Sequence, residues 1–367
     1  MKQFKIYSLL LGLFFLCPGS YAGTLSIDGP YLFHLTGGES RVVSVDNNGK
    51  IQDTIFHSIP NDFSMPVIAN DGTFLFNVPL HPINRQEWKS KKFAEQLILS
   101  DPHGNFECFA SVLKANKVID HKYNWTYGSN HLLINGDVFD RGEDVLPIFW
   151  LIYKLEQEAK DIGGQVSFLL GNHESMVLGG NLKYIQEKYK TISKQLDIPY
   201  ESFFAPTTEL GQWLSTRNTI QIVGDILFVH AGLGQDFFEK NLEIGKINAT
   251  VSQTLFMSKQ QRTTHSELAG FLHGTNGPLW YRGMVRNEAK YNPLFIDDLD
   301  DILKRYGVKR IIVGHTIFPD IRTFYDKKVI TVNVDNQKNF EKVLGRGILI
   351  KNNKIYIISD KGILGEI

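Results

Sequence analysis

The sequence predicts an α/β fold with a polar site at the carboxyl ends of its strands. Apolar, strand-like runs lead directly into His, Asp or Asn at five places, which are LILSDPHG (97–104), HLLINGDVFDRG (131–142), VSFLLGNHE (166–174), DILFVHAG (225–232) and RIIVGHT (310–316). Short apolar or β-branched runs that end in Gly-containing turns are typical of buried strands. Residues 143–160 space their apolar side chains like an amphipathic helix, which predicts a crossover packed on the sheet.

The polar residues at the strand ends predict a metal site. In an open α/β sheet, ligand sites lie beyond the carboxyl ends of the strands. If the five strands lie side by side, the residues that follow them converge on one edge. These residues are Asp101, His103, Asp137, Asn172, His230 and His315. Their convergence indicates a two-metal hydrolase.

The types of donor indicate which metals would bind. Gly104 lets the chain turn sharply after Asp101 and His103, so one carboxylate and one imidazole can reach the same ion. Asp137 stands alone at a strand end, where its carboxylate can bridge two ions about 3.5–4 Å apart. Together with the Asn172 amide oxygen and the remaining imidazoles, this set favours Mn, Fe or Zn over Ca or Mg. We therefore predict two divalent or transition-metal ions as cofactors.

Neighbouring residues could supply the rest of a phosphoryl-transfer site. His173 follows Asn172 and is placed to protonate a leaving oxygen, while Asp140 could orient its imidazole and raise its pKa. Arg141 offers a planar fork that matches two phosphate oxygens. Each motif alone more often belongs to an ordinary surface loop than to a ligand site, but the combination favours the catalytic interpretation.

The motifs together resemble those of calcineurin-type metallophosphoesterases in the phosphoprotein phosphatase family. The matching blocks are DPHG, GDVFDRG, GNHE, HAG and GH, within roughly residues 95–320. The resemblance implies a four-layer α/β/β/α core, in which two packed mixed sheets are flanked by helices. It implies one metal held by Asp101, His103 and Asp137, and a second held by Asp137, Asn172, His230 and His315. It also implies that His173 is the general acid paired with Asp140, and that Arg141 clamps phosphate.

One further block points to a branch of that family. PLWYRG (278–283) resembles a block of the Shewanella-like protein phosphatases, which makes Arg282 the second phosphate-binding arginine. Leu170 stands where eukaryotic Ser/Thr members usually carry Arg, so the resemblance implies phosphotyrosine rather than phosphoserine or phosphothreonine as substrate. Purple acid phosphatases fit worse, because their tyrosine ligand should stand where Asp140 and Arg141 do. The diadenosine tetraphosphatase relatives share the blocks, so nucleotides or dinucleoside polyphosphates stay alternative substrates.

Composition and the N-terminus bear on partners and localisation. The chain has 367 residues and a formal net charge of zero, without the basic excess of a nucleic-acid-binding protein. Residues 1–22 resemble a secretory signal peptide with cleavage after Ala22, and the apolar run is too short to span a membrane. We therefore expect a periplasmic or secreted protein. Cys17 raises the alternative of a lipoprotein, although Leu16 is bulky for the residue before a lipidated Cys.

Cleavage would leave Cys108 as the only thiol of the mature chain. A cysteine phosphatase places Arg six positions after its nucleophile, where this chain has Lys114. We therefore expect Cys108 to be a packed residue in a helix that follows the DPHG turn.

The other segments are expected to frame the core. Residues 23–90 predict a small β-rich N-terminal unit that packs on the catalytic domain, 91–367, with a surface or glycan-binding role as the alternative. Residues 178–224 and 235–276 predict helical insertions that shape the cleft. Candidate cleft aromatics, for which core packing is the competing prediction, are Phe203, Phe204, Trp213 and Trp280, while His265 and His273 are expected to be ordinary loop residues. Residues 345–362 predict a hairpin closing a second sheet.

The predicted function is that of an exported dinuclear-metal phosphatase. It would hydrolyse phosphate monoesters by attack of a metal-bridging hydroxide, with a phosphorylated protein or small phosphomonoester as its partner. A non-catalytic surface-binding module with a degenerate core is the alternative from another class. The complete set of candidate ligands argues against that alternative.

Overall fold

The computed structural model describes residues 25–335, 338 and 345–367. The predicted signal peptide, with Cys17 and the Ala22 cleavage site, lies outside the described residues. Among the residues that are described, none of the helices combines the length and the apolar character needed to cross a bilayer.

Among its described residues, the N-terminal unit contains strands and connecting loops but no helix. β1 (Asp28–His34), β2 (Ser40–Val45) and β3 (Ile51–Phe56) form an antiparallel sheet, and β4 (Ser64–Ile68) pairs with β5 (Phe74–Pro79) as a separate hairpin. Turn-forming Asn, Asp and Gly separate these strands, as the sequence predicts.

The rest of the chain alternates strands and helices. The strands are β6 (Lys89–Ser90), β7 (Glu95–Leu99), β8 (His131–Ile134), β9 (Gln165–Phe168), β10 (Ile220–Val223), β11 (Ile226–Val229), β12 (Arg310–Val313), β13 (Arg322–Phe324), β14 (Val329–Thr331), β15 (Gly347–Lys351), β16 (Lys354–Ser359) and β17 (Gly362–Glu366). The α-helices are α1 (Phe106–Ala115), α2 (Val145–Asp161), α3 (Asn172–Leu178), α4 (Glu187–Leu196), α5 (Glu209–Ser215), α6 (Gln235–Glu239), α7 (Ile244–Thr254), α8 (Lys259–His265), α9 (Glu267–Leu272) and α10 (Ile296–Tyr306). Short 3₁₀ helices span Tyr200–Phe204 and Ala289–Tyr291.

Two mixed six-stranded sheets form the core. Their strand orders are β17-β16-β15-β7-β8-β9 and β13-β14-β12-β11-β10-β6. The facing surfaces share a buried cluster that includes Ile98, Leu133, Phe228, Ile312 and Ile348. Helices α1 and α2 contact the first sheet and α7 contacts the second. The predicted α/β/β/α fold class is confirmed.

The five site-bearing strands divide between the two sheets. They do not lie side by side in one sheet, which was the condition of the convergence argument. β7, β8 and β9 are parallel neighbours in the first sheet, while β11 and β12 are parallel neighbours in the second. Their apolar runs are buried on both faces, because each sheet has the other sheet on one side and helices on the other. The carboxyl ends of strands from both sheets therefore meet at the site.

Helix α2 is more buried than an amphipathic crossover requires. Every residue from Val145 to Leu155 is buried, and only the last turns reach solvent. One face packs against β9, and the N-terminal unit covers the other, with the Trp150 indole N–H donating to Pro30 O at 3.0 Å. The predicted crossover helix on the sheet is confirmed, and a distant segment covers the face that an amphipathic helix would leave exposed.

The N-terminal unit is fastened to the loop that follows Arg141. The Lys188 ammonium group donates to Ile27 O at 2.9 Å, Asn70 Oδ1 at 3.1 Å and Glu143 O at 2.6 Å. One amine thus joins two segments of the unit, helix α4 and the loop that carries a predicted phosphate ligand.

The C-terminal hairpin forms as predicted, but it extends the first sheet. β15 pairs with β16 through a turn in which Asn352 and Asn353 are both left-handed, with φ of 52° and 63°. β15 also pairs with β7, so the hairpin belongs to the sheet that carries Asp101. Cys108 lies in α1 and is buried, as expected.

Candidate dinuclear metal site

Every predicted ligand lies just beyond the carboxyl end of a strand. Asp101 and His103 follow β7, Asp137 follows β8, Asn172 and His173 begin α3 after β9, His230 follows β11, and His315 follows β12. The structure brings these residues together where the two sheets meet.

Asp137 occupies the centre of the cluster. Its Oδ2 atom lies 3.1 Å from His230 Nε2, 3.9 Å from His103 Nε2 and 4.0 Å from His173 Nε2. Two groups of possible ligand atoms, each within 4.8 Å, share this carboxylate: one adds His103 and His173, and the other adds His230 and His315. A carboxylate common to two groups is the arrangement expected of a bridging ligand.

Backbone carbonyls orient two of the imidazoles. His103 Nδ1 lies 2.8 Å from Phe139 O, and His230 Nδ1 lies 2.7 Å from Asn135 O. Because a carbonyl accepts only from N–H, these contacts place a proton on Nδ1 of both rings and turn Nε2 toward the cluster. Metal-binding histidines commonly use this pattern.

The site has the buried polar atoms that an ion would satisfy. His315 Nε2 is buried and has no hydrogen-bond partner among the described residues. The Asn172 amide oxygen lies 3.0 Å from His230 Nε2. The Asp101 carboxylate is oriented by the Asn333 amide at 2.8 Å and by the His315 backbone N–H at 3.1 Å. This N and O donor set fits transition-metal ions.

Burial sets the charge of the cluster. It lowers the pKa of His103 to about 3 and that of His315 well below its usual range, so both imidazoles are in the neutral form that binds metal. Burial also raises the pKa of Asp101 to about 7. Burial opposes ionisation of Asp137 and protonation of His230, but the attraction between the two groups outweighs it. The pKa of Asp137 is therefore held well below normal, and that of His230 is raised to about 9. Buried carboxylates of this kind call for bound cations.

The predicted acid pair is assembled. His173 Nδ1 lies 2.5 Å from Asp140 Oδ2. Burial works against a charged imidazole, but the carboxylates of Asp137 and Asp140 outweigh it and raise the pKa of His173. His173 Nε2 faces the cluster, so the protonated ring is placed to donate there.

The two predicted phosphate arginines are far apart in the sequence, but both lie near the candidate metal ligands. Arg282 Nη1 donates to Thr316 Oγ1 at 3.1 Å, beside the ligand His315, and burial lowers the pKa of its guanidinium. Arg141 is exposed, follows Asp140, and its charge contributes to the lowered pKa of His103.

Left-handed backbone conformations recur at the site. Left-handed φ angles occur at Asp101 (52°), His103 (45°), Asp137 (59°), Asp140 (72°), Arg141 (68°) and His315 (60°). Such angles are uncommon outside glycine and cluster at functional sites. Gly171 allows the loop after β9 to pack closely against the loop after β8, because a Cβ at Gly171 would lie 2.2 Å from Asp137 Oδ1.

Glu174 holds these loops together, a role that the sequence did not reveal. Its fully buried carboxylate accepts from the backbone N–H groups of Gly171 at 2.7 Å, Asp137 at 2.9 Å, Val138 at 2.8 Å and Phe139 at 3.3 Å. The available signal was a Glu three residues after the Gly that caps α3, as in a capping box.

The aromatic candidates divide between core and site. Phe203, Phe204 and Trp213 are buried in the core. Trp280 is half-buried, with its ring edge-on to His315 at a centroid distance of 5.6 Å. Tyr184, which sequence reasoning missed, is 41% exposed, and its ring centroid lies 5.5 Å from that of His173. No spacing pattern distinguishes Tyr184 from other tyrosines of the insertion.

The two histidines expected in loops differ from each other. His265 is the last residue of α8 rather than a loop residue, and it is exposed. His273 caps α9, where its ring contacts the hydroxyls of Ser175 at 2.7 Å and Thr254 at 3.0 Å. Burial lowers the pKa of His273 to about 3, which makes it a neutral structural residue.

Comparison with known families agrees with this geometry. Residues 96–319 match the model of the calcineurin-like phosphoesterases. The chain belongs to that family. The resemblance stated from the motifs is therefore confirmed, as is assignment to the metal-dependent phosphoesterases.

Two of the similar proteins are named Shewanella-like protein phosphatases. The chain is 30% identical over 236 residues to Shewanella-like protein phosphatase 1 of Plasmodium berghei, a match that covers 64% of this chain and 63% of that protein. It is 28% identical over 292 residues to Shewanella-like protein phosphatase 2 of Arabidopsis thaliana, covering 67% and 72%. The crystal structure of a cold-active protein-tyrosine phosphatase from a psychrophilic Shewanella species superposes with a TM-score of 0.81 at 30% identity, covering 92% of this chain and 98% of that one.

Replacing Glu174 with Gln should loosen both metal-binding loops. The amide keeps the shape but turns one acceptor into a donor that faces backbone N–H groups, so we expect a loss of roughly 3 kcal/mol or more in the free energy of unfolding. Chemical denaturation measures this loss. Glu187→Gln, at an exposed position of α4, is the control and should change stability little. Equal stability of both variants would contradict the assigned role of Glu174.

Replacing Asp137 with Asn tests the shared ligand. The substitution keeps the side-chain shape but removes the negative charge between two cations, so the folded protein should lose paired-metal occupancy. Elemental analysis of purified protein and its circular dichroism spectrum give metal content and folding separately. Asp62→Asn, at an exposed carboxylate, should leave metal content unchanged. Two tightly bound ions in Asp137→Asn would rule out a bridging role.

Proposed function

We propose that this protein is an exported, metal-dependent protein phosphatase that prefers phosphotyrosine over phosphoserine and phosphothreonine. The observation that carries the proposal is the His173–Asp140 pair, which faces a cluster of candidate ligands that share Asp137. Metal ligands alone would fit many hydrolases. An oriented proton donor beside them, with two arginines nearby, fits cleavage of a phosphate ester.

The ions and the protein would have separate tasks. When bound, two ions of Mn, Fe or Zn would supply Lewis acidity toward water and toward the phosphate. The guanidinium groups of Arg141 and Arg282 would hold phosphate oxygens and oppose the charge that develops on them. His173 would give its Nε2 proton to the leaving oxygen, while Asp140 keeps the ring oriented through Nδ1.

The proposed reaction forms no phosphoenzyme. Cys108 lies in α1, where burial raises the pKa of its thiol to about 12, so it would not provide a thiolate nucleophile at neutral pH. Hydrolysis would then proceed by direct attack of water on phosphorus, with the Lewis acidity for activating that water supplied by ions that the candidate ligands would hold. Inversion of configuration at phosphorus is the stereochemical expectation.

Two observations support a preference for phosphotyrosine. Leu170, buried directly before the GNHE block, takes the place of the Arg usual in eukaryotic Ser/Thr members. The similar Shewanella structure is named a protein-tyrosine phosphatase. Export is proposed from the signal-like composition of residues 1–22.

A substrate panel tests the proposal. The metal-loaded protein should hydrolyse phosphotyrosine peptides with a higher kcat/KM than matched phosphoserine peptides, and a chelator should abolish both activities. Phosphate release measures each rate. Higher efficiency on nucleotides or dinucleoside polyphosphates would favour the alternative substrates, and no hydrolysis by fully metal-loaded protein would favour a binding module.

Replacing His173 with Ala tests the proton donor. Turnover of an alkyl phosphate, whose leaving oxygen needs protonation, should fall by about 10²–10⁴-fold. The loss should be smaller for p-nitrophenyl phosphate, because its leaving group departs without a proton. Steady-state kinetics on both substrates, with metal content checked, distinguish the cases; equal losses would mean that His173 is not the acid.

A further inference from the structure

The leaving group must lie beside His173 if this ring is the proton donor. Nδ1 of His173 is held by Asp140 at 2.5 Å, so only Nε2 can serve the leaving oxygen. Nε2 lies 4.0 Å from Asp137 Oδ2, at the edge of the metal-ligand cluster. Whatever the leaving oxygen carries must therefore extend from this point toward solvent, along the exposed neighbours of His173.

One exposed aromatic side chain lies at this place. Among the described residues, the rings within stacking range of His173 belong to His103 and Tyr184. His103 is a candidate metal ligand, whereas Tyr184 is 41% exposed. Its ring is tilted 40° from the imidazole, with 5.5 Å between centroids. Tyr184 therefore lines the solvent side of the proton donor.

The position of Tyr184 is fixed relative to the phosphate site. Its backbone carbonyl accepts from the backbone N–H of Arg141 at 3.2 Å, and the Gln186 side chain donates to the carbonyl of Arg141. The backbone hydrogen bond ties the tyrosine to the residue proposed to clamp phosphate. Both connections to Arg141 avoid the phenol ring, so the ring can be changed without breaking either bond.

We infer that Tyr184 forms an aryl-binding subsite that takes the phenyl ring of phosphotyrosine. The inference rests on the proposed phosphatase function and names the group that its site selects. Aromatic rings interact favourably at centroid separations of 4.5–7 Å, either offset-stacked or edge-to-face. A phenyl ring bonded to the leaving oxygen reaches Tyr184, whereas the single methylene of phosphoserine offers no ring to pair with it.

The neighbouring charge is compatible with this subsite. The Lys183 ammonium lies 4.9 Å from the Tyr184 ring centroid, in a cation–π contact at the surface. Because Lys183 is exposed, its side chain can move away from the Tyr184 ring when a substrate binds there. The positive charge of Lys183 would also attract a negatively charged phosphorylated peptide.

Ligand binding to the metal-loaded full chain tests the subsite without depending on turnover. Benzylphosphonate carries the phenyl ring, and inorganic phosphate is the matched ligand without it. Calorimetry should show that Tyr184→Ala weakens benzylphosphonate binding roughly 2- to 10-fold, the range of an aromatic pair, and leaves phosphate binding unchanged. Tyr184→Phe should restore benzylphosphonate binding because it keeps the ring.

A control variant far from the site and a kinetic measurement complete the experiment. Phe74→Ala removes an aromatic ring that is 56% exposed in the N-terminal unit and should change neither affinity. Tyr184→Ala should also lower kcat/KM for a phosphotyrosine peptide by a similar factor, with no change for the phosphoserine peptide. Equal weakening of both ligands, or of neither, would overturn the subsite. A wild-type protein that binds both ligands but hydrolyses no ester would instead refute the proposed function.

Discussion

The site depends on one buried carboxylate. Glu174 accepts from the backbone of Gly171 and from that of Asp137, Val138 and Phe139, and thereby fixes the two loops that follow β8 and β9. Burial raises the pKa of Glu174, and the backbone N–H groups offset part of that effect. The carboxylate thus accepts backbone hydrogen bonds from both loops, including that of the left-handed residue Asp137.

This constraint explains how strained residues persist at the cluster. Left-handed conformations at Asp137, Asp140 and Arg141 each cost on the order of 1 kcal/mol, so surrounding contacts must determine them. Glu174 holds the first part of the loop, and the Tyr184 carbonyl binds Arg141 further along. These tight turns occur in one short segment that carries the shared carboxylate, the orienting carboxylate and Arg141.

The N-terminal unit supports the same segment from outside. Lys188 joins Ile27 and Asn70 of that unit to the carbonyl of Glu143, two residues after Arg141. The unit also covers the outer face of α2, which carries the chain from this loop back to β9. The unit thus supports the loop that carries Arg141, in addition to burying apolar surface.

The sequence by itself determined the chemistry of the site and the local structure around it. Apolar runs that end in DPHG, GDVFDRG or GNHE specify strands followed by tight turns, because strand propensity and glycine freedom act over a few residues. The hairpin at Asn352–Asn353 was predictable for the same reason. Only the tertiary structure decided how the site-bearing strands divide between the two sheets, that α2 is buried on both faces, and that Glu174 and Tyr184 reach the site. Those outcomes arise from packing and hydrogen bonds between segments far apart in the chain, which no local pattern records.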